Sequence, residues 1–413
     1  MRLRIRIPLT ILAAAMMSVL PACAWAAADD WCANHVVSYQ NVGVSPFDDP
    51  GSVLGRPTTW NVESAVWSDV TPGNYAVSLT YAASTNSPDG AKLVLTLNKA
   101  KTSVPTQPAG SVVVRFAKPI YDDPLNWYGK DFIVFGNSRF DSSDGLVDID
   151  TDMEAYRVAA TASGFWEQMK VSVSQDGETW FDYSSGPFAD DFAPTQAFAW
   201  DRQNHTWGAE MDYTKPVPTS LTKTSFAGLT VADGIDLYKG SAGGTAFDIS
   251  EFSLQPDPAT GLKWIQYVKV SSMASSSSLQ ADGEVDAFTR VSAAPQENGP
   301  VLSGTVTFGG LSSSSARPTE TIFEFRRTNG VPFCRRKVPL GQDGSFRIRA
   351  YSREYDLVIS KHPWLSKSVR VNATGGDVTG LAINLTNGDV DADNSLTTSD
   401  ISVLLLNLNA EGD

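Results

Sequence analysis

The periodicity of the apolar residues is the strongest restriction on how this chain can fold. From about Asp29 to Ala294 they recur in short alternating or β-rich runs broken by Gly, Pro, Asn and Asp, with no long amphipathic helical pattern. The runs include Tyr75 to Tyr81, Lys92 to Leu97, Ser111 to Phe116, Asp131 to Phe135, Met169 to Ser174, Trp264 to Val270 and Glu284 to Val291. Strands this short and this regularly spaced predict a mainly β architecture, with residues 29–294 forming one large sandwich or jelly roll. Between Gln175 and Trp180 the Asp-Gly pair joins two strand-like runs, so a hairpin turn is expected there and Trp180 is expected to pack rather than bind.

A connection follows at residues 295–300. After it, Val301 to Thr307, Thr321 to Arg327, Arg335 to Leu340, Ser345 to Ala350, Tyr355 to Ser360, Lys367 to Val371 and Gly380 to Leu385 alternate as seven further strands. Seven strands in under ninety residues predict a small Ig-like or transthyretin-like sandwich over 301–386. His362-Pro363-Trp364-Leu365 lies in a turn before a late strand and reads as a packing anchor.

The remaining stretch, 387–413, changes character. With Asp389 as position 1, side-chain oxygens fall at Asp389, Asp391, Asp393, Thr397 and Asp400, which are positions 1, 3, 5, 9 and 12 of an EF-hand-type loop, and the backbone carbonyl of Ser395 supplies position 7. Four carboxylates within twelve residues repel one another unless a cation such as calcium, which takes six to eight oxygens, lies between them. Position 6 favours a left-handed backbone and usually holds Gly, but here it is Asn394, the next most tolerant type. Ile401, Val403, Leu404, Leu405, Leu406 and Leu408 then make a helix that is apolar on nearly all sides and calls for a partner surface.

Position 12 is Asp400 rather than the bidentate Glu of sensor EF-hands, and here the stretch resembles a dockerin repeat, through Gly388, Asp389, Asp391, Asp393, Leu396, Thr398, Ser399 and Asp400. The resemblance implies a cohesin-like or other surface-protein partner, with Thr398 and Ser399 contributing to the recognition surface. A dockerin has two such repeats, whereas this chain stops one helix after the first. That reads as truncation, or else as a half-module that docks on its neighbour or on a second molecule. Leu340-Gly-Gln-Asp-Gly-Ser-Phe346 and Tyr355-Asp-Leu-Val-Ile359 resemble carboxypeptidase regulatory-like modules, which implies a spacer. In the first span, Asp131 to Asn137, Val171 to Trp180, Gly243 to Ser250, Ile265 to Val270 and Gly283 to Phe288 resemble a family of secreted bacterial surface proteins. That likeness implies a galactose-binding-like sandwich without an established enzyme activity.

Targeting and charge point the same way. Arg2, Arg4 and Arg6, an apolar run from Ile7 to Leu20 and the sequence Pro21-Ala-Cys-Ala-Trp-Ala-Ala-Ala28 read as a signal peptide over 1–28, the apolar run being too short to span a bilayer. Leu20-Pro-Ala-Cys23 approximates a lipobox, so lipoprotein anchoring at Cys23 is the rival to a secreted or surface-bound protein. Cleavage leaves 29 basic against 46 acidic residues, a net charge of −17, which argues against nucleic acid or anionic membrane as partner. No later segment is long and apolar enough to be transmembrane. The two remaining cysteines, Cys32 and Cys334, are allowed a disulfide by compartment, but nothing in their spacing predicts one.

Candidate sites in the first span are less sharply marked. Between Tyr183 and Tyr213 the chain is irregular and rich in aromatics. Trp200 and Trp207 are candidate stacking faces for a sugar ring, with Asp201, Arg202 and Asn204 as candidate hydrogen-bonding groups; the alternative is that the aromatics of this long loop fold back to cover their own sandwich. The acids from Asp141 to Glu154 read as a solvated loop, with a metal site as the alternative. Asp248, Glu284 and Asp286 are candidates for a structural calcium joining early and late strands. No catalytic residue is assigned, because His35, His205 and His362 fall in three separate regions and no nucleophile-elbow, zinc-protease or phosphate-loop motif is present. The sequence therefore points to a non-catalytic surface or adhesion protein with glycan affinity and a calcium-dependent docking tail. Its alternative is a dockerin-bearing carbohydrate-active enzyme working through two carboxylates.

Overall fold

The structure, a computed structural model, describes residues 30–406 except 46, 58–75, 78–93, 102–105, 143, 145–150, 274–281 and 312–316, with the backbone alone described at 76–77 and 406. The leader, Cys23, Asp148, Asp150 and Leu408, together with most of the Tyr75 to Tyr81 run, lie outside the described residues.

The protein is mainly β. In its first part the strands His35–Gln40, Ser111–Tyr121, Trp264–Ser272, Met169–Ser174 and Phe181–Asp182 form, in that order, one antiparallel sheet. Val112 lies opposite Val270, which lies opposite Val171, and Val114, Val268 and Val173 make a second such row. All six side chains are fully buried. β-Branched side chains fit a pleated surface and pack across strands, so these two rows fix the register: a slip of one residue would turn every valine to the opposite face.

Facing that sheet is a three-stranded one in the order Thr245–Phe247, Phe132–Phe135, Ala287–Arg290. Its central strand is buried at every position, which explains a continuous apolar run where alternation would otherwise be expected. Phe132 and Val134 join the valine rows in one core, with Phe132 stacked on Phe247 at 4.8 Å. Ile133 and Phe135 point the other way, into a second core under the helix Val231–Leu237 and the hairpin of Phe198–Asp201 with Thr206–Glu210. The sandwich thus carries an irregular third layer. Truncating Phe132 to Ala would remove its stacking and leave a cavity, a loss of about 3–5 kcal/mol.

The seven strands after the connection lie where alternation puts them. Ser345–Arg349, Val301–Phe308 and Val378–Leu385 form one sheet, in which the first pair is antiparallel and the second parallel. Pro332–Pro339, Glu320–Arg326, Glu354–Lys361 and Trp364–Asn372 form the other. Leu302, Val306, Phe323, Phe325, Leu357 and Ile383 fill the space between them. This sandwich is tied to the first. Ala293 N–H donates to Phe333 O at 2.7 Å, Tyr351 Oη donates to the carbonyls of Ala293 and Ala294, Arg326 pairs with Asp30 at 2.6 Å, and Arg327 pairs with buried Asp123. Cys32 and Cys334 are both buried thiols with no disulfide between them, and burial pushes the Cys334 thiol pKa up.

Candidate metal and docking site

The tail loop begins where the second sandwich ends. The hairpin between Glu354–Lys361 and Trp364–Asn372 carries Pro363, whose carbonyl accepts from both Gly388 N–H and Asp389 N–H at 3.0 Å. Trp364 anchors that hairpin: it is 8 % exposed, meets Phe308 edge to face at 5.0 Å, and donates from Nε1 to Gly309 O at 2.8 Å. The packing role expected of the His-Pro-Trp turn is therefore also what positions the first loop aspartate.

Within the loop, Asp389 and Asp400 are buried, and one carboxylate oxygen from each lies with one of Asp391 inside a mutual separation of 4.8 Å. Asp400 closes the ring: its Oδ1 accepts from Val390 N–H at 2.8 Å and its Oδ2 from Thr397 N–H at 2.8 Å. Those backbone donors, Thr397 first, lower its pKa. Asp391 shifts upward, through desolvation and then through the charges of Asp393, Asp400 and Asp389, and its Oδ2 is buried without a partner. Three convergent carboxylates, one of them with an orphaned oxygen, suit a hard cation with oxygen ligands, so the donor set fits calcium.

The other sequence-designated positions divide. Asp393 lies outside the close carboxylate set; its Oδ1 accepts from Ser395 N–H at 2.7 Å. Thr397 Oγ1 accepts from Ser399 N–H at 3.1 Å, a capping contact at the start of the helix Thr398–Leu406. Asn394 adopts φ +62°, the left-handed conformation expected of position 6. Its side chain does something that sequence reasoning missed: Oδ1 accepts from Ser366 N–H at 2.6 Å, fastening the loop to the second sandwich. Glycine could not make that bond, and this accounts for the departure from the usual residue.

Thr398 and Ser399 are exposed, beside Leu396, Ile401, Leu404 and Leu405, which are each more than half exposed. The apolar helix is thus uncovered among the described residues.

The aromatic-rich stretch is largely packed into the fold. Trp200 is 8 % exposed and belongs to the second core, with Trp207 edge-on to it at 5.3 Å and itself packed against that core. Asp201 accepts from the N–H groups of Gln203 and Asn204 and from Asn204 Nδ2, capping its own turn, and Arg202 is held by Asp233 and Asp236 on the neighbouring helix. Of the two expectations for this aromatic-rich loop, the packed one describes Trp200 and Trp207: they build the third layer, because rings of this size stabilise more when buried. The acidic run is also resolved in part: Asp152 and Glu154 approach His205 Nδ1 at 3.7 and 3.8 Å on an exposed face. The set Asp248, Glu284 and Asp286 does not converge. Asp248 lies with Asp122 and Asp131, Glu284 lies with Glu167 and Asp190, and Asp286 belongs to neither group. Asp248 follows the strand Thr245–Phe247, Glu284 is the middle residue of Gly283–Val285, and Asp286 lies between that strand and Ala287–Arg290.

No protein-family model matches the chain, and no curated protein is similar to it. Two solved structures are similar to part of it: a C-terminal and an N-terminal interface mutant of a type II cohesin–X-dockerin complex from Acetivibrio cellulolyticus. The first is 18 % identical with a TM-score of 0.21, covering 26 % of this chain and 72 % of the matched one. The second is 16 % identical with a TM-score of 0.21, covering 26 % and 73 %. No helix among the described residues is long and apolar enough to cross a membrane.

Proposed function

We propose that this is an exported, non-catalytic attachment protein, in which two β-sandwiches form a rigid stem and a calcium-ordered tail presents a docking surface to a partner protein. The observation that carries this reading is the convergence of Asp389, Asp391 and Asp400, with Asp391 Oδ2 unpartnered, next to an uncovered apolar helix. Calcium bound there draws Asp389 and Asp400 together and so fixes the direction in which the helix leaves the loop. Leu396, Ile401, Leu404 and Leu405 then offer apolar area, and Thr398 and Ser399 offer hydroxyls, to a cohesin-like or other surface protein. The enzyme alternative would need accessible acids, whereas Glu167 and Asp190, which the fold brings together in the first sandwich, are 3 % and 2 % exposed and out of reach of a polysaccharide.

The test is capture of the full chain by an immobilised panel of cohesin modules, with calcium and with EDTA. Retention in calcium that is lost in EDTA and in Asp389→Ala supports the reading. Sugar release from any polysaccharide by the purified chain would refute its non-catalytic half.

A further inference from the structure

We propose that Glu167, Asp190 and Glu284 form a second calcium site, buried inside the first sandwich and independent of the tail. The three come from separate parts of the chain: Glu167 from the turn before Met169–Ser174, Asp190 from the loop after Phe181–Asp182, and Glu284 from Gly283–Val285, the strand paired with Leu95–Leu97. One carboxylate oxygen of each lies within 4.8 Å of the others, a spread that an ion with oxygen ligands at about 2.3–2.6 Å can bridge.

The backbone holds this arrangement in place. Asp190 Oδ1 accepts from Ser138 N–H at 2.8 Å, its Oδ2 from Glu284 N–H at 3.3 Å, and its carbonyl from Glu167 N–H at 3.1 Å. Gly136 lies against the cluster, and a Cβ there would collide with Asp190 Oδ1 and Glu284 O. Several buried oxygens here are left without partners. Glu167, 3 % exposed, has an Oε2 with no partner, Glu284 Oε2 has none, and Asn137 Oδ1 is a further buried acceptor without a donor.

Buried carboxylates need a countercharge or protons. None of the three forms an ion pair with a described basic residue: Lys223 pairs with the adjacent Asp191, and the Arg139 guanidinium lies over the Phe165 ring at 4.4 Å, acting on the acids only through space. Without a cation, burial and then the neighbouring Glu284 raise the Glu167 pKa, and burial raises those of Asp190 and Glu284 as well. A divalent ion offsets that penalty and takes the carboxylates as ligands, tying Glu284 near the end of the sandwich to two mid-chain loops.

The experiment uses the full chain with the tail loop disabled by Asp389→Ala and Asp391→Ala, titrated calorimetrically with Ca²⁺ alone. One bound equivalent is expected, and it should disappear when Glu167→Gln is added, or Glu284→Gln should the first variant not fold. Absence of binding at millimolar Ca²⁺, or an equivalent that survives either folded substitution, would overturn the site. Should neither fold, anomalous diffraction from a Tb³⁺-soaked crystal of the tail-disabled chain decides: a peak among the three carboxylates supports the site, and one only elsewhere overturns it.

Discussion

Two carboxylate clusters of this protein, one in the tail and one in the first sandwich, are built in opposite ways. In the tail, Asp389, Asp391 and Asp400 are neighbours in sequence, held by N–H groups of their own loop and only half-buried at Asp391. In the first sandwich, Glu167, Asp190 and Glu284 meet only because the fold is already formed, and their supporting N–H groups belong to distant residues. The comparison teaches what each cluster does for the molecule. Removing a local cluster disorders a loop, whereas removing a non-local one loosens the sandwich that assembled it.

The largest expected effect follows from that contrast. Asp190→Ala strips the acceptor from the N–H groups of Ser138 and Glu284 inside the core and should lower the unfolding free energy in urea by about 2–5 kcal/mol, measured with calcium present. Asp389→Ala should leave the same transition within about 0.5 kcal/mol of the parent, since its loop contributes to none of the three cores. Equal losses from the two substitutions would break the comparison. Next in size is Gly136→Ala, which drives a methyl group into the Asp190 carboxylate and should cost about 1–3 kcal/mol in the same experiment.

Legibility divides along the same line. The seven late strands and the twelve-residue loop could be read because their signals, alternation and oxygen spacing, are contained within short stretches. Glu284 was picked out as a ligand candidate but given the wrong companions: nothing local marks Glu167 or Asp190, and only the pairing of Gly283–Val285 with Leu95–Leu97 and the return of the 190 loop bring them to it. The ambiguity at Trp200 has a related cause. A dense run of aromatics looks alike whether it lines a surface or builds an extra layer, and the helix Val231–Leu237 that covers it lies thirty residues downstream. The role of Asn394 was half legible, its backbone conformation in the sequence and its bond to Ser366 only in the fold.

Two smaller effects sharpen the contrast. Asn394→Gly relieves a left-handed residue but removes the bond to Ser366, so the two changes should offset to within about 1 kcal/mol while the Ser366 amide loses its exchange protection. Unchanged protection would show that the loop is not fastened by that side chain. Asp176 is an acid that needs neither metal nor proton: Thr179 and Glu178 N–H groups and the Ser174 hydroxyl lower its pKa from 3.8 to about 2. Its contribution to the 174–181 hairpin is therefore complete above the unfolded value and is lost as pH falls through about 2. An NMR titration giving an ordinary aspartate midpoint would remove that distinction.

The account depends most on calcium ordering the tail, and hydrogen exchange of the full chain across 389–400 measures this without interference from the buried cluster. The amides of Val390, Asn394 and Thr397, all donors to loop carboxylates, should be protected in calcium and exchange freely in EDTA. Equal protection in both would contradict the account, because the loop would then be held without an ion.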